Sequence, residues 1–396
     1  MRYAVLPLLL ATAACVGSQA SAPQDDATLH KHLLTLDTHL DTPAHFGRPG
    51  WNFGDRHSRE NDIAQVDLGR MDGNLDGGFF VIYTSQGPLT PEGFAAAKAF
   101  AFKRLGEIET TIAKFPDRIG LATRPDDAER LDKAGKHFAY ISIENSYPLG
   151  EDLSLLSEFY RRGVRMAGPV HFRNNQFADS ATDKPKWNGL SPLGRKWVAE
   201  MNRLGMVIDA SHASDAVFDQ LLETSRTPII LSHSGTKAVY DHPRNIDDAR
   251  VRKLAASGGA ICVNSVYMGE SKTKPSPERE ALGEKLERLD EFSPAEQAEL
   301  IRRYRTLERA ESADGPDFET FMRATLHLIQ VAGVDHVCFG ADWDGGGGVP
   351  GFEDIEALPK VTARLRAAGY SPADIEKMWS GNALRLLRIA EERKGS

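Results

Sequence analysis

Two stretches of the 396-residue chain end in the same pair, Ser211-His212 and Ser232-His233, each after an apolar run, and three further stretches end in residues of matching chemistry. In Asp37-Thr38-His39-Leu40-Asp41 the imidazole and the second carboxylate stand two apart. Residues two apart on an extended strand share a face, so His39 and Asp41 can reach one ion. Ile141-Ser142-Ile143-Glu144 sets an acid after an apolar run, where an unpaired charge is costly and a cation relieves it. Taken singly, the His-x-Asp pair reads as a strand-end hydrogen bond, Glu144 as a cap on the loop at Asn145 and Ser146, and each histidine as a satisfied core residue. Together His39, Asp41, Glu144, His212 and His233 form a His₃/Asp/Glu set suited to zinc, with Glu144 a candidate bridge between two metals.

Phe339-Gly340-Ala341-Asp342 adds another acid, able to ligate metal or to shuttle a proton, while Asp344 reads as serving the glycine-rich turn after it. His171, after Pro169-Val170, is a fourth imidazole free to touch substrate. Arg244, in His242-Pro243-Arg244-Asn245, is the cation suited to a substrate carboxylate, because a guanidinium fork grips one bidentately.

Most of these residues lie at the ends of eight β-rich runs: 33–41, 77–85, 137–144, 165–171, 206–212, 228–233, 259–266 and 336–342. Helical stretches such as 91–114, 192–204 and 214–224 separate them, the last two opening on Ser191-Pro192 and Ser214. The alternation predicts an α/β fold, a (β/α)8 TIM barrel in a single domain, whose strand ends share the rim where active sites sit. A doubly wound open sheet is the alternative, but no Gly-rich dinucleotide fingerprint follows the first strand. Residues 268–320, rich in Glu, Arg, Lys and Ala, predict a charged helical insertion between strands 7 and 8, with a solvated face favoured over a partner-binding surface. Residues 373–392 read as closing helices. Residues 45–62, with Trp51 and Phe53, read equally as a loop over the site or as a surface loop.

A composition of 41% hydrophobic and 26% charged residues is ordinary for a globular chain and excludes disorder, collagen and coiled coil. With 48 Lys and Arg against 56 Asp and Glu, the net charge is -8 and no basic block occurs, which argues against nucleic acid as a partner. Cys15, Cys262 and Cys338 are too few for a disulfide scaffold; the last two, inside apolar strands, read as buried thiols. Arg2, the apolar run 3–14 and the small polar residues to Pro23 read as a signal peptide over 1–22. Residues 10–15 equally resemble a lipoprotein cleavage site, with a signal over 1–14 and Cys15 lipidated; cleavage after Ala20 or Ala22 is the other reading. Both predict export, to a bacterial periplasm or a membrane-anchored lipoprotein. No later stretch reaches the roughly 20 apolar residues of a transmembrane helix.

These pieces together resemble the membrane (renal) dipeptidases, peptidase family M19, within the metal-dependent amidohydrolase-type barrels. The matching segments are 37–43, 66–68, 76–80, Glu144, His171 with Asn174, 178–180, 209–212, 232–234, Arg244-Asn245 and 340–345, spread over nearly all of 28–396. The resemblance implies two Zn²⁺ per chain, with His39, Asp41 and Glu144 holding one and Glu144, His212 and His233 the other. It further implies that His171 and Arg244 bind substrate, that Asp342 binds it and handles the proton, and that a metal-bridging hydroxide attacks the peptide bond of dipeptides, often with a D-residue at the carboxyl end. A homodimer is compatible with it, and membrane attachment would come only through a lipidated Cys15. Two other readings keep the barrel: an amidohydrolase or tailoring enzyme acting on a peptide-derived metabolite, and a non-catalytic binding protein, against which the intact ligand set argues. Departures from the family pattern occur at Leu40, where Asn is common, at Asn145, where Gly is usual, and at Val263-Asn264-Ser265-Val266-Tyr267, where Asn-Phe-Tyr is commoner. None removes a ligand; they bear on the side-chain pocket.

Overall fold

Strands rich in Val, Ile, Leu and Phe with few polar interruptions are buried on both faces, as strands between a barrel interior and a shell of helices must be. The computed structural model describes residues 25–286, 288–311 and 314–395, so the leader reading of 1–22, with Cys15, lies outside the described residues. Among the described residues nine strands occur: β1 (Leu36–Leu40), β2 (Gly77–Tyr83), β3 (Ile119–Leu121), β4 (His137–Glu144), β5 (Val164–Ala167), β6 (Val207–Ile208), β7 (Ile230–Ser234), β8 (Ala260–Val263) and β9 (Val337–Phe339). One parallel arc runs β1-β2-β4-β5-β6 and a second runs β7-β8-β9. Single parallel bridges, Asp209 to Ile230 and Leu40 to Trp343, join the arcs into a closed ring of the eight expected strands. The short β3 pairs with the start of β4 outside that ring.

The ladders are shorter than the apolar runs suggest. His171, His212 and Asp342 lie beyond the paired residues, and His212 and Asp342 adopt left-handed backbone (φ 65° and 68°) that no strand accommodates. The chain turns at these points, which is what makes a rim. Helix starts follow their caps: Thr90 accepts from Gly93 N, Ser191 from Gly194 N and Ser214 from Val217 N, ahead of helices Pro91–Lys114, Pro192–Leu204 and Asp215–Thr224. The helix Asn382–Glu392 packs Leu384, Leu386 and Leu387 into one core cluster with Leu36, Phe79, Tyr140, Met166 and Val207 of the strands. Among the described residues no helix is long and apolar enough to cross a membrane.

Two expectations are corrected. Cys262 and Cys338 are not free thiols: they are register partners on β8 and β9 and form a disulfide, bridging 76 residues of sequence. The segment between those strands is helical as expected (Pro277–Leu286, Pro294–Glu311, Phe318–Ala332), yet its first two helices are more than a solvated face. They bury Leu282 and Ile301, and Arg305 and Arg309 reach Ile63 O and Glu60 on the segment after β1. That segment is packed rather than loose: Phe53 is buried against Phe46 and Phe80, and Trp51 stacks on His57.

Candidate metal centre

The rim brings together every residue expected to act there. His39 lies on β1 with Asp41 just past its end, Glu144 closes β4, His171 and His212 follow β5 and β6, His233 lies on β7, and Asp342 follows β9. Glu144 is the hub: its Oε1 stands 2.9 Å from His212 Nε2, 3.3 Å from His233 Nε2 and 3.7 Å from His171 Nε2, and its Oε2 stands 3.6 Å from His39 Nε2. Imidazoles thus face both oxygens of this carboxylate. His39 Nε2 also faces Asp41 at 3.2 Å and Asp342 at 3.7 Å. Three overlapping groups have ligand atoms close enough to share an ion: His39, Glu144 and His233; Glu144, His171 and His212; His39, Asp41 and Asp342. The side chains therefore pair differently from the two sets that the resemblance implies, since His233 packs its ring 3.7 Å from that of His39.

The donor set fits a cation. Both ring nitrogens of His39 are buried without a hydrogen-bond partner, which folding tolerates where a ligand completes the group. Burial pushes Glu144 upward, but the charges of His39 and His171 and the close approach of the His212 and His233 imidazoles outweigh it and hold the carboxyl well below its ordinary range. Burial raises Asp342 to about 7, opposed by His39 and reinforced by Asp41 and Glu144. For His212 and His233 burial is the main cause of a pKa well below the ordinary imidazole value, so both offer lone pairs.

Outer partners fix the rings. Ser232 Oγ gives its proton to Asp209 Oδ2 at 2.5 Å and so accepts from His233 Nδ1 at 2.9 Å, which leaves the His233 Nε2 lone pair free to accept from His212 Nε2 at 2.9 Å. Asp209 Oδ1 takes Ser211 N and Ser232 N, pinning the two Ser-His stretches together. Asp37 does the same for β1 and β9, accepting from His39 N at 2.8 Å and Ala341 N at 3.0 Å. Arg244 is buried, and its Nε donates to His212 Nδ1 at 2.9 Å, Nη1 to Ser234 Oγ and Nη2 to His233 O. Two of its five N–H groups stay available for a carboxylate. With Nδ1 of His212 accepting from Arg244, the ring proton sits on Nε2; His212 would hold an ion through Nε2 only with that proton on Nδ1. Asp344 serves more than its glycine turn, accepting from Thr42 Oγ1 at 2.6 Å and Gln65 N at 2.6 Å and pairing with His45. Sequence reasoning missed Asp37, Asp209 and Ser232 as positioning residues; Asp37 and Ser232 sit in the same short stretch as the histidine they support, whereas Asp209 reaches His233 through Ser232 on the neighbouring strand.

A closed parallel barrel that converges four imidazoles and three carboxylates on one rim defines a metal-dependent hydrolase of the amidohydrolase-type class. Comparison narrows this: the family model for membrane dipeptidase (peptidase family M19) matches residues 24–396, and the chain belongs to that family. Among curated relatives it is 30% identical over 347 residues to dipeptidase tcpJ of Claviceps purpurea, covering 85% of this chain and 72% of that protein. Its structure is similar to that of the probable dipeptidase PvdM from Pseudomonas aeruginosa, at 30% identity and a TM-score of 0.78, covering 93% of this chain and 98% of the other. A metallo peptidase from Rhodobacter sphaeroides, liganded with a phosphinate mimic of the dipeptide L-Ala-D-Ala, shares the fold at 23% identity and a TM-score of 0.70, over 90% of this chain and 99% of that one. The chain is a peptide-bond hydrolase of the dipeptidase type, and its family is metal-dependent.

Proposed function

We propose that the chain is an exported dipeptidase that uses two zinc ions, one held by His39, Asp41 and Glu144 and the other by Glu144, His212 and His233. The observation that carries this reading is Glu144, whose two oxygens lie between His39 on one side and His171, His212 and His233 on the other. When bound, such a pair supplies Lewis acidity that lowers the pKa of water toward neutrality. Arg244 holds the substrate carboxylate with its remaining N–H groups, which limits the site to chains ending one residue past the scissile bond. Asp342, poised near 7 by burial, accepts a proton as the attack begins and returns it to the leaving amine. His171, 3.7 Å from Glu144, steadies the developing oxyanion.

A D-residue at the carboxyl end is part of the reading, supported by the L-Ala-D-Ala mimic on the Rhodobacter relative. Export is supported by the Cys262–Cys338 disulfide, a bond that oxidising compartments sustain. Metal analysis of the purified protein, paired with turnover of matched L,L and L,D dipeptides, tests the proposal. Two zinc per chain with cleavage of both series is expected. Turnover confined to peptides longer than two residues would refute it.

A further inference from the structure

Beside the metal-candidate cluster, a cavity of about 1440 Å³ lies on the same rim, between the segment after β1, the helix Pro91–Lys114, the insertion helices and the glycine-rich turn. Ordinary small-molecule pockets run to roughly 300–1,000 Å³, so a plain dipeptide fills only a fraction of it. Its walls carry seven Lys and Arg against four carboxylates, and three carboxylates outside the lining, Asp62, Glu60 and Glu311, pair with Arg48, Arg309 and Arg279. Three of the arginines come from separated positions and are pinned: Arg48 by Asp62, Arg59 by Glu308 at 3.4 Å and Glu353 at 3.3 Å, and Arg305 by Glu308 at 2.7 Å. Each nevertheless keeps a buried Nε–H without an acceptor. Pinned guanidinium groups with unused donors are preorganised for an anion.

One wall connects the cavity to the reaction centre. Gly346, Gly347 and Gly348 line the cavity, while a Cβ at the adjacent Gly345 would stand 2.1 Å from Asp41 Oδ2 and 2.3 Å from Asp342 Oδ1. The cavity thus adjoins the β1 and β9 side of the rim. Arg244 lies on the β6 and β7 side, against His212 and Ser234. A dipeptide lying across the cluster with its carboxylate at Arg244 would direct its amino-terminal residue toward the cavity.

We propose that this cavity is a side-chain subsite for the amino-terminal residue, and that the chain's substrates are dipeptides whose amino-terminal side chain is long and anionic; the inference rests on the dipeptidase reading. The test uses the zinc-loaded protein with three probes: Ala-Ala, Nε-succinyl-lysyl-alanine, and the neutral Nε-butyryl-lysyl-alanine of matched length. The succinyl probe is expected to exceed the butyryl probe in kcat/KM by about tenfold at low salt. Arg305→Glu should erase that ratio and shift preference toward unmodified lysyl-alanine, a reversal that mere loss of packing does not produce. Should that variant fail to fold, Arg59→Gln is expected to lower the same ratio. Cleavage of Ala-Ala with equal rates for the two lysyl probes overturns the inference while leaving the dipeptidase reading intact, as does an unchanged ratio in the variants. Failure to cleave any of the three with metal bound sinks the dipeptidase reading instead. Calorimetric binding of the same uncleaved probes then decides the subsite, equal affinities overturning it.

Discussion

His30 and His39 are hidden from water almost equally, at 2% and 1% exposure, yet their surroundings differ completely. His30 is finished by neutral dipoles: its Nε2 donates to Asn74 O at 2.9 Å, and its Nδ1 accepts from Thr362 Oγ1 at 2.7 Å, which in turn accepts from Trp379 Nε1. Neither nitrogen of His39 has a hydrogen-bond partner, and three carboxylates crowd its ring. Burial alone drives both imidazoles toward the neutral form; at His30 it prevails, whereas at His39 the charges of Glu144 and Asp41 overcome it and raise the pKa well above the ordinary value. Burial therefore does not mark a ligand. What marks one is a polar group whose needs the fold leaves open beside concentrated opposite charge.

The strongest way to break this contrast is Glu144→Gln, which keeps the side-chain shape and removes the charge touching four imidazoles. Bound metal, read by elemental analysis, and dipeptide turnover should be lost together. His30→Gln should leave both unchanged. Full metal content in the Glu144 variant would show that the charge does not hold the ion.

The same contrast explains what the sequence could disclose. Glu144 ends an apolar run and His212 and His233 each follow serine, so local pattern sufficed to nominate them, and β4 runs over the residues read for it, His137–Glu144. The three-residue β3 is too short to show any period. The disulfide depends on Cys262 and Cys338 falling opposite each other on neighbouring strands, a long-range register with no local signature. Scarcity of cysteine excluded a scaffold of bridges and was silent about one. The insertion looked solvated because its charges alternate with helical spacing, but Arg305 and Arg309 find partners some 240 residues earlier in sequence, at Ile63 and Glu60. Asp209 and Ser232 act through contacts between two strands that only closure of the ring creates.

Removing the disulfide should separate the body of the barrel from its rim. Closing a loop of 76 residues is worth about 4 kcal/mol on the chain-entropy account, so Cys262→Ala with Cys338→Ala should lower the unfolding free energy by about that amount. Metal content should not change, because neither cysteine touches the candidate metal cluster. A loss below about 1 kcal/mol in denaturant titration would show that the bridge is dispensable. Ser232→Ala should do the converse, weakening metal binding by roughly 10–100-fold through the freed His233 ring while barely shifting the unfolding midpoint. Competition with a chelator measures the first quantity and a thermal melt the second. If metal affinity survives, the Asp209–Ser232–His233 chain does not orient a ligand.

The smallest effect belongs to His30. Burial holds its folded pKa below the ordinary 6.5, so between those two values the unfolded chain binds more protons than the folded one. The stability that His30 contributes is complete above 6.5 and is lost as pH falls through 6.5 toward the folded value, because protonating Nδ1 expels the hydrogen bond from Thr362. The melting temperature of the wild type should therefore drop more steeply between pH 7.5 and pH 5 than that of His30→Gln, by on the order of 1–2 °C. Both measurements belong on metal-free protein, where protonation of the rim residues contributes equally to the two chains and cancels in the difference. Parallel pH profiles would mean that the buried imidazole accepts a proton without cost, and the distinction between a satisfied histidine and an open one would lose its energetic basis.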